Sequence, residues 1–361
     1  MGFDMTNRKV LYLSNIEVPY RVKFFNELSK YCDLTVLYER NISKNRDANW
    51  AKSCQKKYKY KYLDGIKIGN ESTFSYKIIG EILKGYDDVI FGCYNSYVQI
   101  FGILIMKILN KPYYINLDGE PFLFSPGIKT KIKKTILKGA KGYFIAGINA
   151  KYNLIKAIGK VKATTYYFSS LTTEQIKNNE FLSLNANRDD YVLVIGQFFD
   201  YKGLDIAVKA ALLDDNIHYK FVGMGNRTDM FIERFDLENV NNIDIIPFLQ
   251  TPELEKEYLH AKAVVLPSRQ ECWGLVVNEA ASYGTPIVST KGSGAAVEFI
   301  GDTFPQFLAD PGNEKSLYHC IKKCMNSDNK TYSEYLIQKS KDYNIENSVK
   351  NHLEGLGIKI G

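Results

Sequence analysis

The 361-residue chain has no apolar run long enough to cross a bilayer. Its longest mostly apolar stretch, 98–106, is followed by Lys107, whereas a transmembrane helix needs about 20 such residues. The first fifteen residues show no hydrophobic region of the secretory kind ahead of the first predicted strand. These absences predict a cytoplasmic protein without a transmembrane helix.

Metal-ligand and disulfide patterns are also missing. The six cysteines form no CxxC pair, and no histidine stands at ligand spacing from any of them. No Asp-x-Asp motif follows a predicted strand. The sequence therefore predicts neither a structural zinc site nor a catalytic metal.

Arginine is scarce, because only 8 of the 47 basic residues are arginine. Nucleic-acid readers depend on arginine for contacts to base edges, so the composition speaks against a nucleic-acid partner. The charge is also uneven. Residues 1–190 carry +13 and residues 191–361 carry −6. Two halves of opposite charge indicate two domains with different partners, an anionic substrate or membrane surface being favoured for the first.

Strands alternating with helices in both halves predict two doubly wound α/β domains with parallel sheets. The stretch 40–62 fits neither period and is expected to be irregular, and the polar run 183–190 is interpreted as a linker. The predicted strands of the two halves are 10–14, 34–38, 89–92, 113–117 and 142–146, then 191–195, 219–222, 243–246, 263–266 and 286–289. Ligands of such folds bind beyond the carboxyl ends of the strands, which makes the cleft between the domains the expected site.

Segment 264–289 contains the most informative group of residues, VVLPSRQECWGLVVNEAASYGTPIVS. A loop after a strand carries Glu271, and Gly274 opens a helix on which Glu279 lies. The start of a helix offers unpaired amides at the positive end of its dipole, which suits a diphosphate. Those amides belong to Gly274, Leu275 and Val276. Glu279 is placed to accept hydrogen bonds from a ribose diol.

Two further loops follow strands of the same domain. GQFFDYKG contains Gln197 and places Lys202 where a phosphate needs a counter-charge, and VGMG contains Gly223, which permits close backbone approach to a ligand. Together with 264–289, these segments closely resemble the nucleotide-sugar domain of retaining family-4 glycosyltransferases of the GT-B fold. The resemblance is specific over about 191–300 and looser before it, where VPYRVKFFNELSKYCDLTVLY is similar to bacterial polysaccharide-biosynthesis members.

The resemblance implies two Rossmann-like domains facing across a cleft, and a role for each matching residue. Residues 1–185 would bind the acceptor, 191–340 the nucleotide sugar, and 341–361 would form a helix returning to the first domain. Lys202 would contact the donor diphosphate, Glu279 the ribose and Glu271 the donor sugar, while the amides after Gly274 bind phosphate. Backbone near Phe248 would face the base.

Two departures from the family pattern matter. Gln197 stands where many members carry an arginine, and the four histidines, at 218, 260, 319 and 352, all lie in the second half, whereas many members have one near the sugar in the first domain. The corresponding segment, 116–120, offers Asp118 and Glu120 instead. Either carboxylate is a candidate to serve the sugar or the acceptor; the alternative is an ordinary Asp-Gly turn.

The resemblance implies a retaining, metal-independent hexosyltransferase without a cofactor, using a nucleotide diphosphate-sugar, UDP being favoured. The acceptor would be a lipid-linked oligosaccharide or polysaccharide of capsule, O-antigen or another cell-surface glycan. Two alternatives remain: a sugar-nucleotide epimerase or phosphorylase-like enzyme of the same fold, and a non-catalytic partner subunit of a transferase.

Segment 128–138, IKTKIKKTILK, has the pattern of a helix lying in an anionic interface. Ile128, Ile132 and Ile136 recur every four residues, and cations fill the positions between them. Those cations include Lys129, Lys131, Lys133 and Lys134. The segment predicts peripheral docking at the inner face of the plasma membrane, with anionic lipid as partner; the alternative is a surface helix that packs its apolar stripe on the domain.

Overall fold

The computed structural model describes residues 8–40, 55–63, 65–68, 72–119, 127–184 and 186–359. The chain divides into two compact units, Met1–Ser170 with Ile345–Gly361, and Leu171–Asn344. Each unit is built on a parallel sheet, which confirms the predicted pair of doubly wound α/β domains. None of the helices in the described ranges is both long and apolar enough to span a membrane.

The first unit contains a seven-stranded parallel sheet in the order β3-β2-β1-β6-β7-β8-β9, and a small antiparallel pair, β4-β5. Its strands are β1 (Lys9–Ile16), β2 (Asp33–Arg40), β3 (Lys59–Tyr62), β4 (Ile66–Ile68), β5 (Ser72–Phe74), β6 (Asp88–Phe91), β7 (Tyr114–Leu117), β8 (Gly142–Ala146) and β9 (Ala163–Tyr166). Its first helices are α1 (Pro19–Leu28), α2 (Ile78–Ile82), α3 (Tyr97–Ile108), α4 (Ile128–Leu137) and α5 (Ile148–Ile158).

Both faces of this sheet are covered, as the alternating side chains of β1 require. Leu11 and Leu13 lie in one buried cluster with residues of α2, α3, α4 and α5. Tyr12 faces the other way, where its ring lies 4.8 Å from that of Phe25 on α1. The sheet is therefore buried on both sides and its carboxyl edge is the side left for a ligand.

The second unit contains a six-stranded parallel sheet in the order β12-β11-β10-β13-β14-β15. Its strands are β10 (Asp189–Ile195), β11 (His218–Val222), β12 (Ile243–Ile246), β13 (Ala261–Leu266), β14 (Ile287–Thr290) and β15 (Leu308–Ala309). Its helices are α6 (Thr173–Ser183), α7 (Leu204–Ala211), α8 (Thr228–Phe235), α9 (Thr251–His260), α10 (Leu275–Ser282), α11 (Gly294–Ile300), α12 (Glu314–Met325) and α13 (Lys330–Ser340). A last helix, α14 (Ile345–Leu356), follows this unit in the chain and lies in the first.

The observed boundary between the units differs from the expected one. Residues 171–184 belong to the second unit because α6 packs there, with Asn179 donating a 2.8 Å hydrogen bond to the Ser282 hydroxyl. The run 183–190 is accordingly not a free linker, since Asp189 already begins β10.

The expectation of an irregular stretch at 40–62 is wrong at both ends, since Arg40 ends β2, and residues 41–54 lie outside the described residues. Residues 59–62 form β3, which pairs in parallel with β2. The strand lies at the sheet edge and its lysines are exposed, so it lacks the apolar pattern by which the buried strands were identified.

Candidate active site

Two loops meet where the strand order of the second sheet reverses. Loop 196–203 follows β10, and loop 267–274 follows its neighbour β13. A doubly wound sheet binds its ligand at such a switch point, outside the carboxyl ends of the strands. The two most informative sequence segments therefore lie at the position where a ligand site is expected.

Lys202 and Glu271 contact each other across these loops. The Lys202 ammonium donates a hydrogen bond to Oε2 of Glu271, and the Ser268 hydroxyl lies 3.4 Å from the same oxygen. The two charged side chains are 21% and 16% exposed, so solvent still reaches them. The predicted phosphate cation and the predicted sugar carboxylate thus form one ion pair.

Gly203 allows the two loops to approach so closely. Its backbone is left-handed, with φ of +68°, and a Cβ at this position would lie 2.1 Å from the Pro267 carbonyl oxygen. Arg269 ties the loops together through a 2.8 Å hydrogen bond to the Asp200 carbonyl, and its guanidinium donates two 2.6 Å hydrogen bonds to the Asp205 carboxylate at the start of α7. Sequence reasoning missed this Arg269–Asp205 pair, because no sequence motif indicates it.

The start of α10 lies beside the ion pair. Gly274 precedes the helix with φ of +105°, and a Cβ there would come within 2.9 Å of the Ser293 hydroxyl and 3.4 Å of Cγ of Glu271. The α-helical hydrogen-bond pattern gives the amides of Leu275 and Val276 no partner within the helix. A phosphate at this point would meet donors, the positive end of the helix dipole and a lysine together.

Glu279 is the fifth residue of α10, and the Tyr258 hydroxyl donates a 2.7 Å hydrogen bond to its Oε2. Tyr258 is buried on α9, and burial together with the Glu279 carboxylate raises the pKa of its phenol well above the ordinary value. The phenol therefore stays a donor and orients the carboxylate. The sequence offered no sign of Tyr258.

The remaining donor-site candidates lie on successive loops at the same edge. Gln197 is exposed after β10, Gly223 follows β11, and Phe248 is half-buried after β12. A Cβ on Gly223 would lie 3.2 Å from the Gly196 carbonyl oxygen, so the first two loops are in close contact. The structure thus places the candidates at the ends of β10, β11, β12 and β13.

Arg227 supplies a cation beside Gln197 that sequence reasoning did not single out. Its guanidinium donates a 2.9 Å hydrogen bond to the Phe198 carbonyl and lies 4.3 Å from the centroid of the Phe199 ring. The loop that lacks the family's arginine is accordingly contacted by one from the next loop of the sheet.

Asp118 lies in the first unit, directly after β7. Its Oδ1 accepts hydrogen bonds from the Arg21 guanidinium, from Tyr166 at 2.8 Å and from Asn116 at 2.7 Å. An ordinary turn residue would not collect three buried donors. The other candidate of this segment, Glu120, lies outside the described residues.

The apolar stripe of α4 divides between the core and solvent. Ile136 and Leu137 are buried, whereas Ile128 is 75% and Ile132 is 54% exposed. Lys129, Lys131 and Lys133 are exposed around these two isoleucines, and Lys134 is half-buried. The alternative, in which the stripe packs on the domain, therefore holds at Ile136, whereas Ile128 and Ile132 are exposed.

Residues 175–343 match the family model of glycosyl transferases group 1. An uncharacterized glycosyltransferase of Methanocaldococcus jannaschii is 25% identical over 288 residues, which cover 76% of this chain and 77% of that protein. The Anabaena HepE structure in complex with UDP and glucose has a TM-score of 0.67 at 16% identity, covering 97% of this chain and 99% of that one. WaaG, a glycosyltransferase involved in lipopolysaccharide biosynthesis, has a TM-score of 0.66 at 14% identity, covering 98% and 100%.

These matches favour a transferase over the epimerase, phosphorylase-like and non-catalytic alternatives. The family match covers the unit that carries the Lys202–Glu271 pair, and the structural likeness extends over both doubly wound units. The chain therefore has the GT-B fold, and its residues 175–343 match a family of glycosyl transferases.

Proposed function

We propose that this protein is a retaining glycosyltransferase that moves a hexose from a nucleotide diphosphate-sugar, UDP being favoured, to a lipid-linked glycan. The observation that carries the proposal is the meeting of Lys202, Glu271 and the start of α10 at the switch point of the second sheet. Two similar structures support the donor and the pathway class, because HepE binds UDP and glucose and WaaG is involved in lipopolysaccharide biosynthesis.

We assign the diphosphate, ribose and base of the donor to residues at the carboxyl edge of the second sheet. The diphosphate lies against Lys202 and the amides that follow Gly274, with Gln197 and Gly223 flanking it. Glu279, oriented by Tyr258, accepts hydrogen bonds from the ribose hydroxyls. Backbone near Phe248 faces the base.

Departure of the nucleoside diphosphate builds negative charge on phosphate and positive charge on the sugar ring. Lys202 and the helix dipole stabilise the negative charge on phosphate, and Glu271 stabilises the positive charge on the sugar ring. The leaving diphosphate itself takes the acceptor's proton on the same face, so no enzyme base is needed and configuration is retained. A lysine and a helix start supply the charge that a metal supplies elsewhere, so we propose metal-independent turnover without a cofactor.

Asp118 is assigned to the acceptor. Its position after β7 places it at the carboxyl edge of the first sheet, and its side chain is 31% exposed although Oδ1 is fully engaged. A carboxylate held in this manner binds a sugar hydroxyl strongly, because its partners already fix its rotamer.

We propose further that α4 docks the first unit on the inner face of the plasma membrane. Ile128 and Ile132 supply exposed apolar surface, and neighbouring α5 adds Ile148 and Tyr152, which are 66% and 65% exposed. Each lysine near an anionic leaflet is worth about 1 kcal/mol, so three exposed lysines support reversible binding.

Co-sedimentation with vesicles tests this docking. Binding should require anionic lipid, decrease with salt and fall by about two orders of magnitude when Lys129, Lys131 and Lys133 become glutamate. A matched triple exchange of the exposed Lys209, Lys315 and Lys330 in the second unit changes the net charge equally. Equal losses in the two variants would assign binding to overall charge and contradict docking through α4.

The transfer reaction itself is tested with a panel of UDP-, GDP-, ADP- and dTDP-sugars. A nucleotide at 100 times its Kd should add about 2.7 kcal/mol of apparent stability in thermal unfolding. Turnover of the selected sugar should persist in EDTA, and the anomeric proton coupling of the product should match that of the donor. Inverted product would contradict the retaining mechanism, and loss of turnover in EDTA would contradict metal independence.

A further inference from the structure

A buried polar chain joins α14 to the loop after β7. Nε2 of His352 lies 2.7 Å from Oδ1 of Asn116, and Nδ2 of Asn116 donates a 2.7 Å hydrogen bond to Oδ1 of Asp118. His352 is fully buried, and three aromatic rings lie within 5 Å of its own ring, at centroid distances of 4.8, 4.4 and 4.6 Å. These rings belong to Phe24, Phe144 and Tyr166.

The carboxylate of Asp118 determines how this chain is oriented. A carboxylate paired with the Arg21 guanidinium only accepts hydrogen bonds, so Asn116 must turn its amide nitrogen toward Asp118. The amide oxygen of Asn116 then faces His352. If Nε2 of His352 carries the ring proton, it donates across the 2.7 Å to this oxygen and completes the chain.

The second ring nitrogen competes for that proton. Nδ1 lies 2.7 Å from the Ser348 carbonyl oxygen, and burial lowers the pKa of His352 to about 3, so the neutral ring carries one proton for two acceptors. In the α-helical pattern the Ser348 carbonyl accepts from the His352 amide, so it keeps a donor when Nδ1 carries no proton. Turning Asn116 over would instead set its oxygen against Asp118. The Nε2–H ring is therefore the favoured tautomer.

We infer that His352 is a positioning residue for the acceptor carboxylate: through Asn116 it holds Asp118 with Oδ2 turned to receive a hydroxyl of the incoming glycan. Within the described ranges, every hydrogen bond to Asp118 ends on Oδ1, and this leaves Oδ2 for the ligand. The inference rests on the proposed function only in taking a glycan as the ligand. It gives α14 a task in the reaction besides covering the sheet.

Three substitutions of His352 separate positioning from packing. Glutamine places its Nε2 near that of the imidazole and keeps a donor to Asn116, asparagine places its nitrogen near Nδ1, and phenylalanine keeps only the ring. We expect His352→Gln to retain kcat within about threefold, and His352→Asn and His352→Phe to lose about tenfold, the worth of one buried hydrogen bond. Donor KM should stay unchanged in all three, because the donor candidates lie in the second unit. A purely structural role predicts the reverse order, with His352→Phe the best variant.

Nitrogen NMR spectra of the histidine rings test the role of His352 without an activity measurement. The chain has four histidines, so His352 is assigned by its loss in His352→Gln. We expect a neutral ring protonated on Nε2 at neutral pH, with a signal that changes in Asn116→Ala. An Nδ1–H ring, or full kcat in His352→Phe, would overturn the inference. Failure of the proposed function shows itself differently, as the absence of sugar transfer by the unsubstituted chain.

Discussion

Lys202 and Glu271 neutralise each other at the place where a diphosphate and a sugar are assigned. A bound diphosphate must compete with Glu271 for the Lys202 ammonium, and once it does, the Glu271 carboxylate is released toward the sugar ring. The pair therefore couples occupancy of the phosphate position to the availability of the carboxylate.

Glu271→Gln should separate the two effects of this ion pair, the binding of phosphate by Lys202 and the stabilisation of the sugar by Glu271. Without the competing carboxylate, Lys202 binds phosphate more strongly, and we expect a two- to fivefold lower Kd for UDP, since a partly exposed ion pair is worth about 0.2–1 kcal/mol. The kcat should fall by about tenfold or more, because the amide no longer stabilises the cationic sugar. Calorimetry and steady-state rates measure the two effects. Asp200→Asn, in the exposed part of the same loop, should change neither value, and weaker UDP binding by Glu271→Gln would contradict the competition.

Glu279→Ala should act on binding alone. The ribose is held equally in the ground and transition states, so the donor KM should rise about tenfold while kcat stays constant. Tyr258→Phe should cause a smaller change in the same direction, because it removes only the hydrogen bond that orients Glu279. A loss in kcat at constant KM would move Glu279 from the ribose to the reacting sugar.

At the scale of elements, buried strands could be predicted from the sequence. The edge strand β3 and the contacts of α14 with the first sheet were harder to predict. The strand β8 is a short apolar run between turn residues, and its observed limits equal the predicted ones. The strand β3 was not predicted, because a strand at the sheet edge can carry exposed lysines and then lacks an apolar pattern. The contacts of α14 with β8 and β9 depend on residues almost 200 positions away, and sequence periodicity carries no such information.

The candidate active site could likewise be predicted only in part from the sequence. The pattern of 264–289 identified the loop and helix start at which the structure places Glu271 and Gly274. Arg269–Asp205, Tyr258 and Arg227 act through partners on other loops, and only the folded chain shows those partners. His352 is the clearest case: the resemblance returned segment 341–361 to the first domain, but no pattern connected His352 with Asn116 and Asp118.

α14 should make the stability of the protein depend on pH. Burial and, more weakly, Arg21 lower the pKa of His352 to about 3, while Ser348 and Asp118 act in the opposite direction. Between pH 3 and the ordinary value near 6.5, the unfolded chain binds a proton that the folded chain refuses, so this contribution to stability falls as the pH is lowered. Urea unfolding at pH 7, 6 and 5 measures it. The advantage of the unsubstituted chain over His352→Gln should shrink by up to about 1.4 kcal/mol per pH unit, and parallel curves would contradict a neutral buried ring.

At the scale of the whole molecule, each sheet presents its candidates at its carboxyl edge. The second sheet carries the residues assigned to phosphate, ribose and base, and the first carries the residues assigned to the acceptor together with the lysines of α4. The uneven charge of the sequence follows this division, since the basic half is the one assigned to a glycan on an anionic membrane.

The binding of UDP by the second unit tests this account most directly. Calorimetry should show one site per chain, and Lys202→Ala should weaken UDP binding by about 1.5–3 kcal/mol, the worth of a charge-assisted hydrogen bond. Lys209→Ala removes an exposed lysine from the following helix, and it should leave the affinity unchanged. Equal UDP affinity in the unsubstituted chain and in Lys202→Ala would contradict the assignment of the diphosphate to the Lys202–Glu271 pair.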